Sequence, residues 1–103
     1  MPHVYMLECS DGSLYVGSTI DLDRRLEQHA AGEGAAYTRR RLPVRLIWSE
    51  RFDRVETAFQ WEKRIQGWSH AKRLAFATGG IDAVIGWSAR QRRSGRDEGG
   101  VSR

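Results

Sequence analysis

The sequence predicts an α+β fold, a small three-stranded antiparallel sheet flanked by helices in the order β-β-α-β-α-α. Three observations carry this reading. Two alternating apolar segments near the amino terminus flank Ser10-Asp11-Gly12, a turn signal that makes them a hairpin. Later segments place apolar residues at helical spacing behind capping residues, with one further strand-like run between them. Finally, 103 residues, 40% of them hydrophobic and four of them Trp, supply one core and are too few for two domains.

His3–Cys9 and Leu14–Ser18 are the hairpin strands. A three-residue loop with Gly12 in the left-handed position pairs Tyr5 with Gly17 and Leu7 with Tyr15. Both tyrosines then share one face, and Val4, Met6, Leu14 and Val16 form an apolar opposite face. A two-residue loop would split the tyrosines between faces. Asp21 caps a helix running to about Ala31, with Leu22, Leu26 and Ala30 as its buried stripe and Gly32 and Gly34 ending it. Tyr37–Leu42 is a basic loop closed by Pro43. Val44–Glu50 is the third strand, with Val44, Leu46 and Trp48 on one side. Asp53 and Glu56 resemble a capping box for a second helix that ends near Gln66 and Gly67. A third helix follows Ser69, and a short fourth is expected around Ile81, Val84 and Ile85. These elements form a single domain over residues 1–89. From Arg90 onward Arg, Ser and Gly dominate, so residues 90–103 are expected to be a basic flexible tail.

Composition excludes several classes. No apolar run approaches the roughly 20 residues of a membrane helix, and no signal-type segment opens the chain, so a cytoplasmic protein with no membrane association is expected. A single cysteine, Cys9, permits neither an internal disulfide nor a multi-thiolate zinc site. Lys and Arg number 17 against 13 Asp and Glu, a net charge of +4. All the basic residues except Lys63 and Lys72 are Arg, the side chain best shaped for bidentate phosphate contact. Much of the excess lies in the tail, so position rather than total charge must argue for nucleic acid.

The second helix holds an anomaly. Its stripe runs Val55, Ala58, Phe59, Ile65, and the periodic position before Ile65 is Glu62. An inward carboxylate must meet a cation, a metal or hydrogen bonds, or else hold a raised pKa. An ion pair at the edge of the core would satisfy it as well as a metal would. Arg25 and His29 are the second anomaly. They are four residues apart on the first helix and flank its apolar stripe, so both can border the interior, whereas Arg24 points to solvent.

Val4-Tyr5, then Tyr15-Val16-Gly17, then Arg25 and His29 in the following helix, then Glu62 in a later helix, together resemble the GIY-YIG nuclease domain. The resemblance spans about Met1 to Ala77. It is nearest the small stand-alone bacterial members and more distant from the amino-terminal nuclease of the bacterial excinuclease and the homing endonucleases. It implies a division of labour. Glu62 would be the single protein ligand of a divalent metal, Mg²⁺ or Mn²⁺. Tyr5 or Tyr15 would be the general base on the attacking water. Arg25 would hold the scissile phosphate and His29 would bond a tyrosine hydroxyl or that phosphate, while Gly17 would allow close backbone approach. Substrate contacts would come from Arg39, Arg40, Arg41, Lys72 and Arg73, and the tail. Three departures stand out: His3-Val4-Tyr5 replaces Gly-Ile-Tyr, Ser18 stands where several members carry Lys, and the chain contains no Asn.

The function expected on these grounds is a metal-dependent endonuclease acting on DNA by structure rather than sequence, in repair or recombination. The alternative is a non-catalytic nucleic-acid-binding module of the same fold, which Ser18 and the missing Asn favour. A partner-binding adaptor using exposed Trp68 and Trp87 rests on aromatic count alone.

Overall fold

The computed structural model describes residues 1–87; the predicted tail at 90–103 lies outside them. The element order is β1 (His3–Glu8), β2 (Leu14–Thr19), α1 (Leu22–Ala30), α2 (Ala36–Arg39), β3 (Arg45–Arg51), α3 (Val55–Gln66), α4 (His70–Gly79) and one 3₁₀ turn at Ile81–Ala83. The three strands form an antiparallel sheet in the order β2-β1-β3. The predicted α+β class is therefore the observed one.

The hairpin register is the three-residue-loop register, with Tyr5 opposite Gly17 and Leu7 opposite Tyr15. Gly12 has φ 84°, a left-handed conformation that a Cβ would strain. Val4, Met6, Leu14 and Val16 are buried and pack with Ala58, Ile65 and Phe76 from α3 and α4. The opposite face is also covered. Tyr5 and Leu7 are as deeply buried as the core aliphatics, beneath His29 of α1 and Thr38 of α2. One sheet thus carries an apolar layer on one side and a buried polar cluster on the other.

Caps explain two helix starts. The Asp21 side chain accepts from the Arg24 N–H, and the Ser69 hydroxyl from the Lys72 N–H, each satisfying a donor that the first turn leaves open. Asp53 does not do the same for α3. Arg54 occupies its N-cap with no side-chain bond, so the capping box is not formed.

Other expectations need correction. Ala30 is exposed, and His29 takes the buried position at the end of α1 because it has partners waiting there. Val55 and Phe59 of α3 are more than half exposed, while Trp61 turns inward with Ala58 and Ile65. Val44, Leu46 and Trp48 do not share a side. A register shift between Met6 and Leu7 leaves Ile47 as the extra residue of β3, so Trp48 joins the Met6 face and Leu46 the Leu7 face. The helical turn α2 takes up the first half of the Tyr37–Leu42 loop, starting one residue before it, and the expected fourth helix is a 3₁₀ turn. Trp68 is half-buried with its ring edge on Phe76, not an exposed docking residue.

The outer edge of β2 is sealed by side chains. Gln66 donates to the Val16 carbonyl at 3.1 Å and Arg73 to the Leu14 carbonyl at 3.2 Å. Strand edges left unpaired invite association, and here α3 and α4 occupy this one.

Candidate active site

The site is assembled where the two sheet faces meet along β2. Alternation along that strand sends Tyr15 and Gly17 to the Tyr5 face and Ser18 to the Val4 face. Residues from opposite sides of the sheet therefore converge at one edge.

Tyr5 is at the centre. Its hydroxyl lies 2.8 Å from Nε2 of His29, and it accepts from Nε–H of Arg25 at 3.4 Å. Arg25 is held in turn by Gln28, to whose Oε1 it donates at 2.9 Å. The i, i+4 spacing that sets Arg25 and His29 on one face of α1 thus delivers both to a single phenol. Tyr15 packs beside them, its ring centroid 6.3 Å from that of Tyr5 and 5.4 Å from that of His29, and Tyr37 stacks on its other side at 6.1 Å.

Burial sets the charge states. Desolvation pushes the Tyr5 phenol above its usual value, and the neighbouring Tyr15 and Glu62 charges add to this while Arg25 opposes it. Desolvation, with Arg25 nearby, holds His29 below the ordinary imidazole range. Both groups are therefore neutral at rest near neutral pH, and the Arg25 guanidinium stays charged beside them.

Gly17 is required by this packing. A Cβ there would stand 2.6 Å from the Tyr5 hydroxyl oxygen and 2.8 Å from its Cζ. Gly17→Ala is expected to displace the phenol from His29 and to destabilise the domain by about 1–3 kcal/mol, as overpacked cores do. Thermal melting checks this, and an unchanged Tm would mean the ring shifts without cost.

Glu62 approaches from the other face. It is half-buried; its Oε1 accepts from the Ser18 hydroxyl at 2.6 Å and its Oε2 from Gln66 at 2.8 Å. No described cation pairs with it, so hydrogen bonds rather than an ion pair satisfy the inward carboxylate. Ser18 lines a groove with Arg24, Arg25 and Gln28, and Gln66 lines another with Tyr15, Tyr37 and Arg73. Glu62 sits between them, bonded to one wall of each.

Among the described residues no group of three or more His, Cys, Asp or Glu side chains could hold a metal. That donor set is wrong for zinc or a calcium cage. It fits Mg²⁺ or Mn²⁺, which one carboxylate, waters and a substrate phosphate can hold, since each Glu62 oxygen keeps a lone pair beyond its one hydrogen bond.

The predicted phosphate contacts divide into two groups. Arg39 and Arg40 are exposed on and just after α2, without an ion pair among the described residues. Arg41, Lys72 and Arg73 are engaged. Arg41 pairs with Asp11 at 3.1 Å and stacks 3.9 Å over the Tyr37 ring. Lys72 lies 4.5 Å over Trp68, and Arg73 spends its N–H groups on the carbonyls of Leu14, Gln66 and Trp68.

A model of the GIY-YIG catalytic domain matches residues 1–75. The chain belongs to the GIY-YIG family. Among its relatives, a UPF0213 protein of Haloquadratum walsbyi is 46% identical over 80 residues, covering 78% of this chain and 90% of that protein. One from Halobacterium salinarum is 49% identical over 75 residues, covering 73% and 97%. The solution NMR structure of a UPF0213 protein from Bacillus halodurans superposes with a TM-score of 0.51 at 40% identity, covering 85% of this chain and 98% of that one. The resemblance carried by the tyrosine motifs thus holds for the family and the fold, and a GIY-YIG domain is a nuclease-type fold.

Three site residues escaped sequence reasoning. Gln66 reaches Glu62 through the i, i+4 spacing of α3, a signal the sequence does contain. Thr38, fully buried, lies 2.8 Å from Nδ1 of His29, and no periodicity marks it. Gly34 packs under the His29 ring, where a Cβ would fall 2.7 Å from Cε1.

Proposed function

We propose that this chain is a divalent-metal-dependent endonuclease that hydrolyses phosphodiester bonds in DNA, selects its target by structure, and serves repair or recombination in the cytoplasm. The observation that carries the reading is the Tyr5 hydroxyl held between the Arg25 guanidinium and the His29 imidazole, with the Glu62 carboxylate at the same strand edge.

Tyr5, not Tyr15, is the general base on this reading, because Tyr5 has a proton acceptor at 2.8 Å. A neutral phenol cannot take a proton and keep its own. As the attacking water gives a proton to Oη, Tyr5 passes its own to Nε2 of His29, and the hydroxide oxygen attacks phosphorus while the ester oxygen leaves with the bonding pair and takes a proton from solvent. Because burial disfavours a free tyrosinate, a concerted transfer in which the Tyr5 oxygen keeps one proton throughout is the lower path, and the imidazolium it forms is offset by the negative charge developing on the phosphate. Arg25, adjacent to the phenol, binds the scissile phosphate and offsets charge accumulating on it. Glu62 would hold Mg²⁺ or Mn²⁺, which supplies Lewis-acid stabilisation of the phosphate. Exposed Arg39 and Arg40 supply phosphate contacts away from the reacting bond.

Incubating the purified chain with branched, single-stranded and duplex DNA, in Mg²⁺ or in EDTA, tests this. Cutting of branched DNA in Mg²⁺ and none in EDTA is expected. Tight binding with no cutting would instead establish a non-catalytic module, a reading that Ser18 in place of a Lys favours.

Binding and cutting separate further by mutation. Replacing Arg39 and Arg40 by Gln is expected to weaken binding to all sequences and to flatten the salt dependence, by up to about 0.9 in slope for each phosphate no longer neutralised. Arg25→Ala, whose contact to the scissile phosphate is expected to strengthen in the transition state, should change that slope by no more than one contact and mainly lower the rate at saturating DNA. Filter binding over a salt series, with single-turnover rates, distinguishes them; loss of affinity without loss of rate in Arg25→Ala would remove Arg25 from the chemistry.

A further inference from the structure

Behind the tyrosine and the histidine lies a second buried link. Thr38 Oγ1 is 2.8 Å from Nδ1 of His29 and 3.0 Å from the Ala35 carbonyl oxygen. Both Thr38 and His29 are fully buried. A carbonyl oxygen can only accept, and a threonine hydroxyl has one proton. The hydroxyl therefore donates to Ala35, and toward His29 it presents a lone pair. Nδ1 must then carry the proton. In a neutral imidazole that leaves Nε2 bare, facing the Tyr5 hydroxyl at 2.8 Å. The opposite tautomer would set the Thr38 oxygen against the Ala35 carbonyl with no proton between them and turn an N–H toward Tyr5.

We propose that Thr38 is a positioning residue of this site: it fixes His29 as the Nδ1–H tautomer, so that Nε2 is free to take the Tyr5 proton. The inference rests on the reading of Tyr5 and His29 as the proton-accepting pair. Thr38 belongs to α2, the turn that also carries Arg39 at the surface and continues into Arg40. The element proposed to meet phosphate thus holds the proton acceptor in register from its inner side. Gly34 is part of the same device. A Cβ at Gly34 would collide with Nδ1, so only glycine lets the ring lie between Tyr5 and Thr38.

The test reads the tautomer directly. Long-range ¹H–¹⁵N spectra of the ¹⁵N-labelled chain at neutral pH are expected to show His29 Nδ1 protonated and Nε2 unprotonated. Thr38→Ser, which keeps the hydroxyl, should give the same pattern and near-normal cleavage. Thr38→Val, close in shape but without the hydroxyl, should populate the Nε2–H tautomer. It should also lower the rate at saturating DNA by roughly 10²-fold or more, with KM little changed, as a misassigned catalytic histidine does. A wild-type spectrum with Nε2 protonated overturns the proposal, and that measurement needs no variant to fold. So does a folded Thr38→Val chain with an unaltered tautomer, or a Thr38→Ser chain that behaves like Thr38→Val. If the wild-type chain cuts nothing, the nuclease reading fails while the spectra still decide the tautomer.

Discussion

Glu62→Gln is expected to abolish Mg²⁺-dependent cleavage while leaving the folded chain nearly as stable as the wild type. The two halves of this expectation have separate causes. Cleavage depends on the charge, because a neutral amide oxygen is a far weaker ligand for a hard divalent cation than the carboxylate that the proposed function assigns to it. Stability depends on the hydrogen bonds, and these survive. The new carbonyl oxygen can accept from Gln66, and the new NH₂ can donate to the Ser18 oxygen, which accepts as readily as it donates. Glu62 is half-buried and unpaired by any described cation, so neutralising it costs about 1 kcal/mol at most. Cleavage assays across a Mg²⁺ and Mn²⁺ titration, with thermal melts of the same samples, check both halves. If the variant unfolds, yet its folded fraction cuts like the wild type, Glu62 is a structural hydrogen-bond hub and the metal reading is lost.

The sequence shows most clearly what local rules determine. The turn signal at Ser10-Asp11-Gly12 places the hairpin, the clean apolar face of Val4, Met6, Leu14 and Val16 selects the three-residue-loop register, and that register sets Tyr5, Tyr15 and Gly17 on one face. Helical spacing then brings Arg25 and His29 to the same side, and the structure seats both on the Tyr5 hydroxyl. Glu62 was legible as an apolar-stripe position filled by a carboxylate, although its neighbours Val55 and Phe59 proved exposed and Trp61 took the inward place. What the sequence concealed depends on contacts distant along the chain. The β3 bulge at Ile47 breaks the alternation that would have placed Leu46 with Trp48. His29 displaces Ala30 from the interior because Tyr5 and Thr38, 24 and 9 residues away, satisfy both ring nitrogens. Arg73 looked like a phosphate ligand, but three backbone carbonyls converge on it only after α3, α4 and β2 have packed.

Tyr5→Phe is expected to lower the cleavage rate by roughly 10²–10⁴-fold, and Tyr15→Phe by less than about 10-fold. Each change deletes one hydroxyl and keeps the ring. The difference lies in what the hydroxyl touches. The Tyr15 hydroxyl interacts with Arg25 while its ring packs on His29, whereas the Tyr5 hydroxyl is bonded to Arg25 and also to His29, the proton acceptor. Removing it cuts the path from the attacking water to Nε2 of His29. It also leaves that nitrogen buried without a partner, which should cost about 1–3 kcal/mol and lower Tm by several degrees. Rate and stability can be separated by pH. His29 is held below its unfolded value near 6.5, so the folded state keeps the imidazole neutral where the unfolded chain would protonate it. Its contribution to stability is present above about pH 6.5 and is lost as pH falls toward the folded value. The wild-type rate should accordingly persist below the ordinary histidine range before it falls, as Nε2 becomes occupied by a proton. Tyr5→Phe, having no proton to pass, should lose that acid limb altogether while its low rate stays flat. Stopped-time cleavage over pH 5–8, paired with melts at each pH, reads both. Normal turnover in Tyr5→Phe would leave the tyrosine as packing, and an acid limb unchanged in that variant would show that the limb does not depend on a proton passed by Tyr5.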